Sequence, residues 1–162
     1  MFHVPCFIFH DCMKSFTLVE ILIVIAILGG LAGLAFPIMR SLLIANYLTS
    51  SAEEIVQCLR QAQTNAMGGA RDSRWGVFFD QNNNKFTLFK GDFFGQDHSY
   101  DLAQELPKSI EIKNISLNGG GAEIVFEKTS GKTNQFGSLT LEGLNNQTKN
   151  IIVNEYGVIE VH

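Results

Sequence analysis

Few side chains in this sequence stand where chemistry could be done, and each group has a plainer reading beside it. Asp80, Asn82 and Asn84 occupy the spacing of the first, third and fifth ligands of a calcium loop. Lys85 replaces the glycine such a loop requires, and Gly91 stands where a bidentate glutamate is needed, so the segment reads as a hairpin turn. Asp92, Asp97, His98 and Asp101 crowd one stretch, but their spacing is not diagnostic of a metal site. The histidines are His3, His10, His98 and His162, and the cysteines are Cys6, Cys12 and Cys58. They form neither a disulfide framework nor a Ser/His/Asp or Cys/His constellation. Cys58 reads as a small buried apolar residue. No glycine-rich phosphate loop is present. Two glycosylation patterns, Asn114-Ile115-Ser116 and Asn146-Gln147-Thr148, are short enough to arise by chance. The expectation is a protein with no catalytic residue, no metal and no cofactor, and therefore not an enzyme.

One carboxylate is out of place. Phe16 to Met39 is a run of 24 residues with a single charge, Glu20. As a helix this run is about 36 Å long, enough to cross a bilayer. A secretory signal has a shorter apolar stretch, about 7–15 residues, followed by a small-residue cleavage site. Here the run continues into a helical pattern, so a retained membrane anchor is the better reading. An ionised carboxylate near the end of a spanning helix is costly unless it meets water or a cation. Glu20 either snorkels to the interfacial water or meets a cation from another chain in the membrane, and in both cases gains from the positive end of its own helix. Lys14 places the N-terminus in the cytoplasm and the chain beyond Arg40 outside it.

Lys14-Ser15-Phe16-Thr17-Leu18-Val19-Glu20, followed by Ile21-Leu22-Ile23-Val24-Ile25-Ala26-Ile27-Leu28, closely resembles the processing signal of type IV prepilins and type II secretion pseudopilins. The resemblance implies a peptidase cut between Ser15 and Phe16 and methylation of the new amino terminus at Phe16. It makes Glu20 the assembly glutamate and matches Pro37 to the family's helix proline. It also implies a pilin-like α+β fold, a filament of like subunits, a prepilin peptidase/methylase, an inner-membrane assembly platform and membrane lipid as partners. Ser15 departs from the usual glycine before the cut but remains small. Residues 1–12 do not look like a basic leader, and a start at Met13 would give the compact leader Met13-Lys14-Ser15.

The remaining elements follow from periodicity. Gly29, Gly30 and Gly33 weaken the apolar run locally or permit close helix packing. Leu48, Ala52, Ile55, Leu59, Ala62 and Ala66 step by four and three, which is one face of an amphipathic helix. Gly68-Gly69 is its stop. One helix from Phe16 to Met67, about 78 Å long, is expected. The organisation is then a leader over 1–15, a membrane half-helix over 16–39, an amphipathic half-helix over 40–67 and a β-rich head over 68–162.

About seven strands are legible in the head. They lie near Arg74–Phe79, Lys85–Phe89, Ser109–Leu117, Ala122–Glu127, Ser138–Leu141, Asn150–Val153 and Val158–Val161, with Gly91–Pro107 as a longer loop. The apolar helix stripe needs this antiparallel sheet as its cover. The ending from Ile151 to Val161 resembles the closing hairpin of H-type minor pseudopilins and T-type minor pilins. That resemblance implies a minor subunit supporting protein secretion.

The chain is 46% hydrophobic and 17% charged, with a formal net charge of −4. From Gly68 onward nine Lys/Arg face twelve Asp/Glu, about −3. That balance argues against a broad nucleic-acid footprint. The alternative reading, a minor pilin that captures DNA, would need a local basic patch; Arg71 and Arg74 are close, but Asp72 lies between them.

Overall fold

The computed structural model describes residues 16–162, and for residues 34–38 and 40 it describes the backbone alone. Lys14, Ser15 and the alternative start Met13 lie outside the described residues. One long helix opens the chain: α1, Leu18–Met67. Eight strands follow: β1 Trp75–Asp80, β2 Lys85–Lys90, β3 Leu102–Glu105, β4 Ile110–Leu117, β5 Glu123–Phe126, β6 Gly137–Gly143, β7 Thr148–Val153 and β8 Ile159–Val161. The chain divides into two units at Met39/Arg40.

The second unit contains two four-stranded antiparallel sheets, ordered β3-β2-β1-β5 and β4-β6-β7-β8. β1 and β2 form the hairpin expected around Asp80–Asn84, in register from Trp75↔Lys90 to Asp80↔Lys85. Asn84 takes a left-handed φ of 51° in its turn, a conformation asparagine tolerates. The inward side chains of both sheets share one buried core with the amphipathic half of α1. Phe79, Phe86, Ile124 and Phe126 come from the first sheet, and Ile110, Leu139, Leu141 and Ile151 from the second. The helix adds Leu48, Ala52, Ile55, Leu59, Ala62 and Ala66, all buried. The periodic stripe is thus the buried face. Small residues at 52, 62 and 66 let the helix backbone lie close to strands that carry phenylalanines.

Two things differ from the sequence reading. The head contains two sheets, because β5 pairs with β1 while β4 pairs with β6. And Leu102–Glu105, within the expected loop, forms a strand at the edge of the first sheet, pairing Lys85↔Glu105 through Leu88↔Leu102. All four of its residues are exposed.

The helix stop is as expected. Gly69 takes φ 63°, then Ala70–Asp72 make a 3-10 turn. Within it Arg71 and Asp72 also have positive φ, 58° and 52°. Two consecutive non-glycine residues in this region cost roughly 1–2 kcal/mol each. The segment is held by Trp75 Nε1–H donating to Ala70 O at 2.9 Å and by the Lys128 ammonium on Asp72.

Before the stop, one helix side chain ties the two sheets together. Gln63 Nε2 donates to Gly131 O at 3.1 Å and to Gly157 O at 3.0 Å. Gly131 lies in the turn after β5, and Gly157 in the turn between β7 and β8. Gly157 has φ 80°, and a Cβ there would collide with Gly131 O and the Gln63 amide. Gln63→Ala leaves two carbonyls without this donor and is expected to cost about 1–3 kcal/mol in urea denaturation. Gln63→Glu, which offers no donor, should cost at least as much. Unchanged midpoints in both variants would remove the clasp.

Candidate assembly site

The residues singled out in sequence separate into those that only hold turns and those that face outward with nothing to meet among the described residues. Asp80 Oδ1 accepts from Asn83 N–H at 3.0 Å, and its Oδ2 accepts from Asn83 Nδ2 at 2.7 Å. These bonds hold the carboxyl below the usual aspartate range, with the Asn83 side chain as the largest cause. Asn84 is committed to Ile110 O and Ile112 N–H. The calcium-like spacing is therefore used as a hairpin turn.

The acids of the following loop are likewise engaged. Asp92 pairs with Arg74 at 3.6 Å, Asp97 with Lys90 at 3.1 Å, and Asp101 with His98 Nδ1 at 2.6 Å. Asp97 is held below its ordinary pKa mainly by hydrogen bonds from Ser99, and then by Lys90. Among the described residues no group of three potential metal ligands is present.

The loop has an apolar function that its sequence did not announce. Phe94 stacks on Phe78 with centroids 4.3 Å apart and planes 2° apart, and meets Phe89 edge-on at 5.7 Å. Phe94 N–H donates to Glu123 Oε2 at 2.8 Å. Gly76 makes room here, since a Cβ would meet the Phe89 ring at 2.8 Å. The loop thus covers the outer face of the first sheet. Cys58 is buried, and burial pushes its thiol up to about 12, so it is not a nucleophile at neutral pH.

The first unit is built differently. Thr17 caps α1: its Oγ1 accepts from Glu20 N–H at 3.2 Å. Thr17-x-x-Glu20 is the spacing of a capping box, a helix-start signal that the sequence reading passed over. Glu20 therefore lies in the first turn, at the positive end of the helix. It is exposed and has no ion pair among the described residues.

Around Glu20 the surface is apolar on every side. Leu18, Val19, Ile21, Leu22, Ile23, Val24, Ile25, Ile27, Leu28 and Leu31 are all exposed. No one face of an isolated helix is spared, so this segment is not a cover for a single sheet. A Cβ added at Gly29, Gly30 or Gly33 would meet nothing within 4 Å. Phe16 is 74% exposed. Pro37 lies within the backbone span of α1, and its side chain is outside the described ones. Among the described residues no helix is long and apolar enough to cross a membrane. Within the Phe16–Met39 run the side chains of residues 34–38 lie outside the described ones.

No family model and no curated protein sequence matches the chain. Solved structures do. Two structures of the minor pseudopilin EpsH from the type II secretion system of Vibrio cholerae align with TM-scores of 0.53 and 0.55. The first is 14% identical and covers 71% of this chain and 95% of that one. The second is 15% identical and covers 72% and 93%. At such identities the likeness concerns architecture: a helix against antiparallel sheets, as the pilin-like α+β reading expects. The chain has the fold of a minor pseudopilin.

Proposed function

We propose that this chain is a structural minor subunit of a type II secretion pseudopilus or a type IV pilus. The precursor is inserted in the inner membrane with its head outside the cytoplasm. A prepilin peptidase cuts between Ser15 and Phe16 and methylates Phe16. The subunit then enters a filament of like subunits at an inner-membrane assembly platform, through its N-terminal helix. Glu20 neutralises the amino terminus of a neighbouring Phe16, and Pro37 marks where the helix departs from regular packing.

The observation that carries this reading is a helix segment apolar on all sides and exposed, with one carboxylate in its first turn that has no ion pair among the described residues, in a chain with the pseudopilin fold. Such a surface calls for lipid or a bundle of like helices. The support for the membrane segment is the 24-residue run with one charge.

The DNA-capturing alternative has less to draw on. Arg74, Lys90 and Lys128 are paired with Asp92, Asp97 and Asp72, and Arg71 lies over the Tyr100 ring at 5.3 Å. Mass spectrometry of subunits recovered from sheared filaments tests the main reading. The expected mature terminus is a methylated Phe16. An unmodified Met1 or Met13 on assembled protein overturns it.

A further inference from the structure

We propose that Asn118–Gly119, in the turn between β4 and β5, is a self-modifying site at which the folded protein converts asparagine to aspartate and isoaspartate. This is the sole Asn-Gly pair in the chain. The main-chain nitrogen of Gly119 gives its proton to solvent and attacks Cγ of Asn118. The N–Cγ bond forms, the Cγ–Nδ2 bond breaks, and Nδ2 leaves as ammonia after taking up a proton. The resulting five-membered imide takes up one water. Opening at Cγ gives aspartate; opening at the main-chain carbonyl gives isoaspartate, with the backbone rerouted through the side chain. The net change is one water consumed and one ammonia released, with no oxidant or reductant.

The reaction needs an unencumbered nitrogen and an unhindered approach. Gly119 supplies both. Its N–H has no acceptor among the described residues, whereas the amides on either side are held: Asn118 N–H donates to Phe136 O at 2.8 Å and Gly120 N–H to Leu117 O at 3.0 Å. Gly119 has no side chain to obstruct the attack, and the space where a Cβ would stand is empty. Asn118 Nδ2 donates to Asn134 O at 2.9 Å, an exposed bond that opens as Cγ turns to the Gly119 nitrogen. Water reaches the imide from an open cavity of about 340 Å³ whose wall includes Asn118, Gly119, Glu123 and Asn134.

Other exposed turns with asparagine lack this combination: at Asn83 and Asn154 the next residues, Asn84 and Glu155, carry side chains that hinder the approach, and elsewhere the next amide is held. The amide after Asn82 donates to Asp80 Oδ1 at 3.0 Å, and the one after Asn134 to Thr133 Oγ1 at 3.1 Å. The amide after Asn145 donates to Gly143 O at 2.9 Å, and the one after Asn146 to Asn145 Oδ1 at 3.3 Å. Each of these nitrogens is also followed by a bulky side chain.

The product matters to the fold because of Glu123. Its carboxylate shares the cavity wall with Asn118 and holds the Phe94 amide that seats the loop on the first sheet. Conversion takes the formal net charge from −4 to −5 and places the added charge on the same wall as Glu123.

The test is incubation of the folded full-length chain in mildly alkaline buffer, followed by peptide mapping by mass spectrometry and labelling with isoaspartyl methyltransferase. Conversion at Asn118 should run at least roughly tenfold faster than at any other asparagine, and Gly119→Ala should slow it by roughly tenfold, about 1.4 kcal/mol of barrier. The comparison with the other asparagines is made within the wild-type protein, so it stands even if the variant folds poorly. Retention of the Asn118 amide while other asparagines convert, or conversion only in urea, overturns the proposal.

Discussion

Glu20→Leu is expected to leave the subunit in the membrane fraction and absent from sheared filaments. Leucine makes the Phe16–Met39 run more apolar, so insertion should not suffer. What is lost is the only negative charge of that run. On the proposed reading this charge faces the amino terminus of a neighbouring subunit in a medium without water. Leaving the ammonium group alone there costs several kcal/mol, enough to reduce incorporation by orders of magnitude. Glu20→Gln removes the charge while keeping the shape, and should fail similarly. Immunoblots of membrane and sheared fractions separate insertion from assembly. Normal amounts of either variant in filaments would remove Glu20 from the assembly role.

Leu59→Ala should be among the most damaging single truncations on the amphipathic half of α1, with Ile55→Ala. Leu59 is fully buried within the core that joins the helix to both sheets. Such truncations cost about 2–5 kcal/mol, a large part of the roughly 5–15 kcal/mol that holds a domain together. Leu59→Met keeps most of the volume and should cost less than about 1.5 kcal/mol. The comparison is Leu102→Ala, since Leu102 is 58% exposed on β3 and should change little. Urea midpoints for the three variants give the answer. Equal losses at positions 59 and 102 would contradict the seating of the helix.

What could be read in the sequence follows from how local each signal is. The stripe from Leu48 to Ala66 was legible because the helical period is written in consecutive turns. Seven strands were legible because apolar residues alternate within each. β3 was missed because Leu102-Ala103-Gln104-Glu105 buries nothing; it is a strand only because β2 offers it a free ladder. The division into two sheets depends on β5 turning back to β1, a pairing across more than forty residues that no local pattern encodes.

The candidate site divides the same way. Glu20 was legible as a charge in an apolar run. The Thr17 cap was written at capping-box spacing and overlooked. The seat of Phe94 was not legible, since its partners Phe78 and Phe89 belong to other strands of the chain and its anchor Glu123 lies 29 residues away. Gln63 lies off the apolar stripe and reads in sequence as an ordinary solvated residue, although it makes the two bonds that hold the turns.

Those two bonds also set how the head would bear load. A subunit pulled by the amphipathic half of α1 would transmit tension to its sheets by the routes that are stiffest. Apolar contacts slide, whereas a directional hydrogen bond to a glycine carbonyl in a turn does not. Gln63 delivers that tension to the turn after β5 and to the β7–β8 turn at once, near the end of the helix. Both sheets are then expected to leave the helix together. Under force the head is expected to yield as one unit, with a single rupture event in a pulling experiment.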